Sequence, residues 1–195
     1  MPEDVSKLTP RSPVVCIMGH VDHGKTTLLD FIRKSHLAEK EVGGITQSIS
    51  AFTVELKEQK NKKIVFLDTP GHEAFREMRH HGAYSTDIIL LVIAAEDGIM
   101  PQTEEVLELI KETKLPTIIA VTKCDKHEKE IDSILENVSR QLAKYDVLTE
   151  LVGGTIPIFG VSGKTGLNVK QLEEAICFES EIQDYRADFK VYCLP

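Results

Sequence analysis

Apolar runs separated by turn residues recur along the chain and predict the strands of a sheet. Most of the runs are continuously hydrophobic, which is typical of central parallel strands covered on both faces. These runs lie at 14–18, 64–68, 88–95, 117–121 and 156–160. A sixth run, 49–56, alternates apolar with polar residues and predicts an edge strand, which a polar turn at 57–63 joins to the next run.

Segments with apolar residues at helical spacing alternate with these strands. They lie at 25–34, 72–82, 102–113, 128–145 and 168–177. In the longest of them, one apolar stripe is formed by Ile131, Ile134, Leu135, Val138 and Leu142. The alternation predicts an α/β fold with a mostly parallel, six-stranded, doubly wound sheet and helices on both faces. In such folds ligands bind outside the carboxyl ends of the strands.

The 195 residues suffice for one such domain, and 42% hydrophobic with 28% charged residues is ordinary for a globular protein. We expect an N-terminal extension at 1–12 and the folded domain at 13–177. Residues 178–195 are polar and fit no further element of the pattern, so they are predicted to be a linker or the start of another domain.

The net charge of −8 argues against a nucleic-acid binder held by bulk electrostatics, although it leaves room for a local basic patch. No apolar run reaches the roughly 18 residues of a membrane-spanning helix. The acidic N-terminus lacks the apolar stretch of a signal peptide. The four cysteines are widely spaced, which favours free thiols in a reducing compartment over a zinc site or disulfides.

Residues 19–26, between the first strand and the first helix, read Gly-His-Val-Asp-His-Gly-Lys-Thr and fit the phosphate-loop pattern G-x-x-x-x-G-K-[ST]. Glycines let backbone N–H groups surround a phosphate, and the helix N-terminus adds partial positive charge. We expect Lys25 to reach the β- and γ-phosphates and the Thr26 hydroxyl to bind Mg²⁺. The predicted phosphate-binding residues here are Gly19, Asp22, His23, Gly24, Lys25, Thr26 and Thr27.

Asp68-Thr69-Pro70-Gly71 follows the strand at 64–68. A carboxylate at this point can hold Mg²⁺, directly or through water, so Asp68 is a predicted metal ligand. The N–H of Gly71 can approach a γ-phosphate because no side chain obstructs it.

Two further strand ends carry residues suited to a guanine base. Asp125, in Thr122-Lys123-Cys124-Asp125, can accept hydrogen bonds from guanine N1–H and the exocyclic amine, a pair that adenine does not offer. Lys123 would lie over the nucleotide, and a backbone N–H in the 162–164 turn can meet guanine O6. The predicted guanine-binding residues are Thr122, Lys123, Asp125, Ser162, Gly163 and Lys164.

The strings at 19–26 and 68–72 resemble those of the translational GTPases. Within that group the chain is similar to bacterial-type translation initiation factor 2, through the strings at 43–47, 66–75 and 97–103. The likeness covers about residues 13–177 and implies a P-loop GTPase fold that binds GTP, GDP and Mg²⁺. It implies a GTP-hydrolysing domain of a factor that promotes initiator tRNA binding and ribosomal subunit joining.

The resemblance also implies partners and a location. The family's domains that bind initiator tRNA lie C-terminal and are absent from this chain, so 178–195 would begin a following β-barrel domain. The isolated domain is expected to be monomeric, with no membrane partner. The strings at 124–126 and 143–147, together with Thr122, are similar to mitochondrial members, which favours the mitochondrial matrix over the alternative of a bacterial cytoplasm.

Thr122 departs from the family pattern, which has Asn-Lys-x-Asp at 122–125. The threonine side chain is one atom shorter, so the departure affects the contact to guanine N7 and the bracing of the phosphate loop. Asp125 is intact, and base choice should therefore survive.

His72 occupies the position at which the family has a histidine, and the resemblance implies that it positions the attacking water for hydrolysis. The alternative is that His72 is a solvent-exposed histidine at the start of a helix. Val21 and Ile45 match the apolar pair that gates this histidine, and ordinary loop packing is their alternative. Thr46 would complete the Mg²⁺ shell from a first switch at 36–47. The second switch would span 71–82.

The position directly before Ile45 is not an arginine and the phosphate loop contains none, so unaided turnover should be slow until the ribosome stimulates it. Asp22 is either a ligand for a monovalent cation or a solvated loop carboxylate. The second-switch residues Arg76, Arg79, His80 and His81 either contact ribosomal RNA phosphates or form a solvated face.

Three other functions compete with a ribosome-triggered initiation GTPase. The first is a GTP-binding switch module whose hydrolysis is dispensable. The second is an elongation-type factor, which the string at 43–47 argues against. The third is an ATPase, which Asp125 disfavours.

Overall fold

A computed structural model describes residues 9–36, 50–56, 62–68 and 86–187. In chain order its strands and helices are β1 (Thr9–Pro10), β2 (Val14–Gly19), α1 (Lys25–His36), β3 (Ser50–Leu56), β4 (Lys62–Asp68), β5 (Ile88–Ala94), α2 (Pro101–Thr113), β6 (Thr117–Thr122), α3 (Ile131–Ala143), β7 (Ile158–Gly160), α4 (Val169–Gln183) and β8 (Arg186–Ala187). The predicted helix at 72–82 and the turn residues 57–61 lie outside the described residues.

Six strands form one sheet in the order β3-β4-β2-β5-β6-β7. Every neighbouring pair is parallel except β3 with β4, which is the antiparallel edge pair. The prediction of a mostly parallel, doubly wound, six-stranded sheet is therefore confirmed. β5 and β6 are continuously hydrophobic because they are central strands, in which every residue is buried.

The sheet separates two hydrophobic cores. On one face Val15 and Ile17 of β2 pack with apolar residues of α1 and α4. On the other face Cys16 and Met18 of the same strand pack with α2 and α3. Alternate residues of a strand point to opposite faces, so one uninterrupted apolar run supplies both cores.

Helix α4 continues to Gln183, past the predicted end at 177, and the residue that caps it, Asp184, has a left-handed φ of 49°. The prediction that 178–195 fit no element is wrong for these residues, because their acidic side chains lie on the solvent side of a helix. Strand β8 then pairs with β1, Thr9 opposite Ala187. The proposed domain boundary itself stays a prediction.

Two other predicted elements are shorter than expected. β7 begins at Ile158 rather than at 156, since Pro157 has no N–H to donate to a ladder. α3 begins at Ile131, after two 3₁₀ turns at 124–126 and 128–130. Among the described residues no helix combines the length and apolarity needed to span a membrane.

Candidate nucleotide site

The carboxyl ends of five strands bring the predicted site residues to one edge of the sheet. β2 leads into the loop at 19–24, β4 ends at Asp68, and β5 leads into the loop at 95–100. β6 ends at Thr122, and the turn at 162–164 follows β7. Residues far apart in sequence therefore meet where a doubly wound fold binds its ligands.

Two glycines of the phosphate loop occupy conformations that side chains disfavour. Gly19 has φ 149°, and a Cβ there would lie 2.2 Å from the Val92 carbonyl oxygen. Gly24 has φ 82° at the turn into α1. The first glycine is required by close approach to β5 and the second by backbone conformation, so neither is an arbitrary turn residue.

Lys25 folds back over the loop from the first turn of α1. Its ammonium donates to the carbonyl oxygens of Gly19, at 2.8 Å, and His20, at 2.5 Å. The side chain is buried, whereas those of Thr26 and Thr27 are exposed at the helix N-terminus. The positive charge is thus held at the N-terminus of α1, an arrangement suited to an anion.

Thr122 braces the phosphate loop from the end of β6. Its hydroxyl lies 2.5 Å from the carbonyl oxygen of His23 and 3.3 Å from that of Ile93. A hydroxyl has one hydrogen, so the shorter contact is the donated bond. The residue is only 2% exposed, and the shorter side chain therefore makes the brace while presenting no donor to a base.

His23 is buried beneath the loop as a neutral imidazole. Its side chain is 1% exposed, with Nδ1 3.4 Å from the Val92 carbonyl oxygen and Nε2 3.8 Å from an Asp97 carboxylate oxygen. Burial lowers the pKa of His23 from 6.5 to about 4. At neutral pH it contributes no positive charge to phosphate binding.

Asp125 is oriented by Ser162 in the base corner, which is formed by the turns at 122–125 and 162–164 and which the sequence predicts to bind guanine. The hydrogen bond from the Ser162 side chain is the main reason that the pKa of Asp125 lies below its usual value. The buried Ser162 oxygen also accepts backbone N–H groups of Lys164, at 3.1 Å, and Thr165, at 3.2 Å. The carboxylate is therefore charged, directed and accessible.

The rest of the base corner is fixed by backbone constraints. Lys123 adopts a left-handed φ of 63°, and its ammonium lies 3.4 Å from Asp97. At Gly163 a Cβ would lie 2.6 Å from the Leu28 nitrogen of α1, so this turn requires glycine. The Cys124 thiol is buried against the Val121 carbonyl oxygen, and burial raises its pKa to about 11, which makes it a packing residue.

Asp68 at the end of β4 and Thr26 in the first turn of α1 carry the oxygen groups that the sequence predicts as Mg²⁺ ligands. Burial raises the pKa of Asp68, opposed by the nearby charge of Lys25. A hydroxyl and a carboxylate are the hard oxygen ligands that Mg²⁺ prefers, and it commonly uses one or two carboxylates together with substrate phosphates. No group of three His, Cys, Asp or Glu residues suited to a metal is found within the described ranges.

Several predicted residues cannot be placed in this site. These are Ile45, Thr46, Gly71 and His72, together with the second-switch residues at 76–81, all of which lie outside the described residues.

Two other predicted residues lie at the tip of the phosphate loop. Val21 is 36% exposed, and Asp22 beside it is exposed with φ 62°.

Sequence reasoning missed two residues of this site. Asp97 approaches both Lys123 and His23, and Gln102 accepts the backbone N–H of Val21 at 3.1 Å. Both lie in the string 97–103, which the sequence offered only as part of a family resemblance. Nothing in that string indicates that its polar side chains turn toward the phosphate loop.

Residues 10–180 match the family of the elongation factor Tu GTP-binding domain. The chain belongs to this family. It is 51% identical over 185 residues to mitochondrial translation initiation factor IF-2 of Homo sapiens, which covers 95% of this chain and 25% of the relative. It is 49% identical over 187 residues to IF-2 of Mesoplasma florum, covering 96% and 28%. The resemblance to bacterial-type initiation factor 2 is thereby confirmed.

Solved structures agree with the fold. GDP-bound aIF5B from Aeropyrum pernix has a TM-score of 0.71 and 30% identity, covering 89% of this chain and 36% of that one. A bacterial selenocysteine-specific elongation factor has a TM-score of 0.68 and 27% identity, covering 86% and 28%. The chain spans about a quarter of the length of the curated relatives it matches. Membership of the family makes it a GTP-binding domain.

Proposed function

We propose that the chain is the GTP-binding and GTP-hydrolysing domain of a translation initiation factor of the IF-2 type. The observation that carries this proposal is the combination of a braced phosphate loop with a base corner whose carboxylate is directed by Ser162. A charged acceptor at Asp125 selects guanine, because it pairs with two adjacent donors that adenine lacks. Identities near 50% to IF-2 proteins over about 95% of this chain favour initiation.

Phosphate binding would use backbone N–H groups of 22–27 and the Lys25 ammonium. Two loop carbonyls accept hydrogen bonds from that ammonium and hold it beside the loop. Thr26, Asp68 and Thr46 would hold Mg²⁺, which when bound neutralises charge on the β- and γ-phosphates. A monovalent cation at Asp22 belongs to the same proposal.

Hydrolysis would depend on His72, which would position the attacking water, with Val21 and Ile45 as its apolar gate. The exposed position of Val21 at the loop tip supports this assignment for one side of the gate. Gly71 would sense the γ-phosphate. Without an arginine in the loop, unaided turnover should be slow and the ribosome should accelerate it.

The partners follow from the proposed family role. The ribosome would be contacted through the second switch, with basic residues at 76–81 meeting ribosomal RNA phosphates. Initiator tRNA would bind domains outside this chain. For the compartment we propose the mitochondrial matrix, on the strings at 124–126 and 143–147. The bacterial cytoplasm is the alternative, because mitochondrial and bacterial relatives are about equally similar. Imaging of a tagged protein in its source cells tests the compartment.

The test of function has two stages. Fluorescence titration with GTP, GDP and ATP should show binding of both guanine nucleotides and at least a hundredfold weaker binding of ATP. GTP turnover is then measured with and without ribosomes. Equal binding of ATP would contradict the base assignment. A ribosome-independent rate in the intact factor would favour the switch module with dispensable hydrolysis.

A variant at His72 separates binding from hydrolysis. In the intact factor, His72→Ala should keep GTP affinity within about threefold, since the side chain acts only in the transition state. Ribosome-stimulated hydrolysis should fall by about two orders of magnitude or more. His127→Ala, at a surface site paired with Glu96, is the matched control and should hydrolyse GTP as the unmodified protein does.

A further inference from the structure

Gln102 reaches the phosphate loop from a different layer of the fold. It lies in the first turn of α2, directly after Pro101, and its amide oxygen accepts the N–H of Val21 at 3.1 Å. The residue is only 7% exposed, and the two positions are 81 residues apart in sequence. A buried glutamine joining helix and loop in this way is a tertiary contact rather than local turn chemistry.

The other side chains that brace the loop bond its carbonyl groups, and Gln102 bonds a backbone N–H. Lys25 holds the carbonyls of Gly19 and His20, and Thr122 holds the carbonyl of His23. All three of these contacts hold backbone carbonyl groups, which are hydrogen-bond acceptors. Gln102 fixes a donor, at the loop tip where the chain turns through the left-handed conformation of Asp22.

The start of α2 is itself fixed in place. Val106, Leu107 and Ile110 anchor the helix in the core beneath β2 and β5. The backbone N–H of Thr103 returns to the Met100 carbonyl at 2.7 Å. The Gln102 amide is therefore presented to the loop from a rigid helix end, and a displacement of α2 would carry Val21 with it.

We infer that Gln102 is a positioning residue, which holds Val21 and thereby couples the position of α2 to nucleotide retention in the phosphate loop. The inference rests on the proposed guanine-nucleotide site. Without the tether, the loop tip samples conformations that do not match the bound phosphates, and the nucleotide dissociates faster. A partner that shifts α2 would act on the nucleotide by the same route.

The test combines two measurements on this chain loaded with fluorescent GDP. Gln102→Met keeps side-chain length and removes the amide oxygen, and Gln102→Asn keeps the amide but is too short to reach Val21. Both should release GDP about three- to tenfold faster, the range for one net hydrogen bond. The Val21 amide, followed by NMR hydrogen exchange, should lose protection in both variants, while amides of β5 and β6 keep theirs.

Gln141→Met is the matched control. Gln141 of α3 also accepts a backbone N–H, that of Ile99 at 3.3 Å, so its loss loosens the segment before α2 without touching the phosphate loop. This variant should stay within twofold of the unmodified chain in GDP release and in Val21 protection. An equal effect from Gln141→Met would overturn the inference, because general loosening would then explain the result.

Other outcomes also decide the question. Faster release with unchanged Val21 protection, or lost protection with unchanged release, would each overturn the coupling. An unprotected Val21 amide in the unmodified protein would overturn it without any variant, even if both substitutions prevented folding. Failure of the unmodified chain to bind GDP would instead contradict the proposed function, while exchange at Val21 would still report on the tether.

Discussion

The phosphate loop and the base corner lie at the same edge of the sheet, but backbone and side chains have opposite roles in the two regions. In the phosphate loop, the side chains of Lys25, Thr122 and Gln102 hold backbone groups in place, which leaves other backbone N–H groups for the ligand. In the base corner, backbone N–H groups fix Ser162, which directs the side chain of Asp125 outward.

The difference follows from what each region must recognise. A phosphate is an anion with equivalent oxygens, which a curved backbone with many N–H groups satisfies well. A guanine edge presents a fixed pattern of donors and acceptors, for which one oriented carboxylate suffices. Substitutions in the base corner should therefore change which nucleotide binds, whereas substitutions in the phosphate loop should change how tightly any nucleotide is held.

The largest effect is expected at Asp125. Asp125→Asn loses two hydrogen bonds to a charged acceptor, each worth about 1.5–3 kcal/mol, so GTP affinity should fall about 10²- to 10⁴-fold. Xanthosine triphosphate should gain affinity, because its 2-oxo group needs a donor opposite it. Calorimetry measures both nucleotides, with Asp132→Asn on the exposed face of α3 as control. Loss of GTP binding without a gain for the xanthine nucleotide would place Asp125 outside base selection.

The second effect concerns acid stability of the phosphate loop. His23 has a folded pKa of about 4 against 6.5 unfolded, so the unfolded chain takes up the proton first as pH falls. The stability contributed by the neutral, buried imidazole is fully present above pH 6.5 and is lost between there and pH 4. The loss from this residue should reach about 3 kcal/mol.

Urea unfolding at a series of pH values measures this loss. His23→Gln should flatten the decline between pH 6.5 and 4.5, whereas His127→Gln at the surface should keep it. An identical pH profile in His23→Gln and the unmodified chain would mean that other groups set the acid sensitivity.

A third effect is expected at Lys25. Lys25→Met removes a charge-assisted bond to phosphate, worth about 1.5–3 kcal/mol, so affinity for GTP should fall about 10- to 100-fold. The ratio of guanine to xanthine binding should stay unchanged, in contrast to Asp125→Asn. Calorimetry with circular dichroism checks affinity and folding, and Lys144→Met on the exposed end of α3 is the control. A changed base preference in Lys25→Met would contradict the division between the two regions.

The smallest effect is expected at Thr122, which connects the two regions. Thr122→Val leaves the His23 carbonyl without its donor and should cost about 1–2 kcal/mol of unfolding free energy. Thr122→Ser keeps the hydroxyl and should therefore retain most of that unfolding free energy. Thermal unfolding compares the two variants. If Val and Ser behave alike, the hydroxyl does not brace the loop.

Much of this protein was determined by local sequence pattern. Continuous apolar runs predicted the buried parallel strands, alternation predicted the edge strand β3, and glycine spacing predicted the phosphate loop. These features depend on near neighbours, and hydrophobic period and turn chemistry report near neighbours directly. The extent of α4 was missed because acidic residues suit both a linker and the solvent side of a helix, and 178–183 hold no buried residue that would extend the apolar stripe.

The tertiary structure alone decided which side chains hold the site. Sequence pattern indicated that Thr122 departs from its family, but its bond to the His23 carbonyl, 99 positions away, depends on how closely β6 approaches the loop. In the same way, Ser162 meets Asp125 and Gln102 meets Val21 only because parallel strands end at one edge. Such contacts depend on distances between elements that no local pattern encodes, and they arise only when the sheet is assembled.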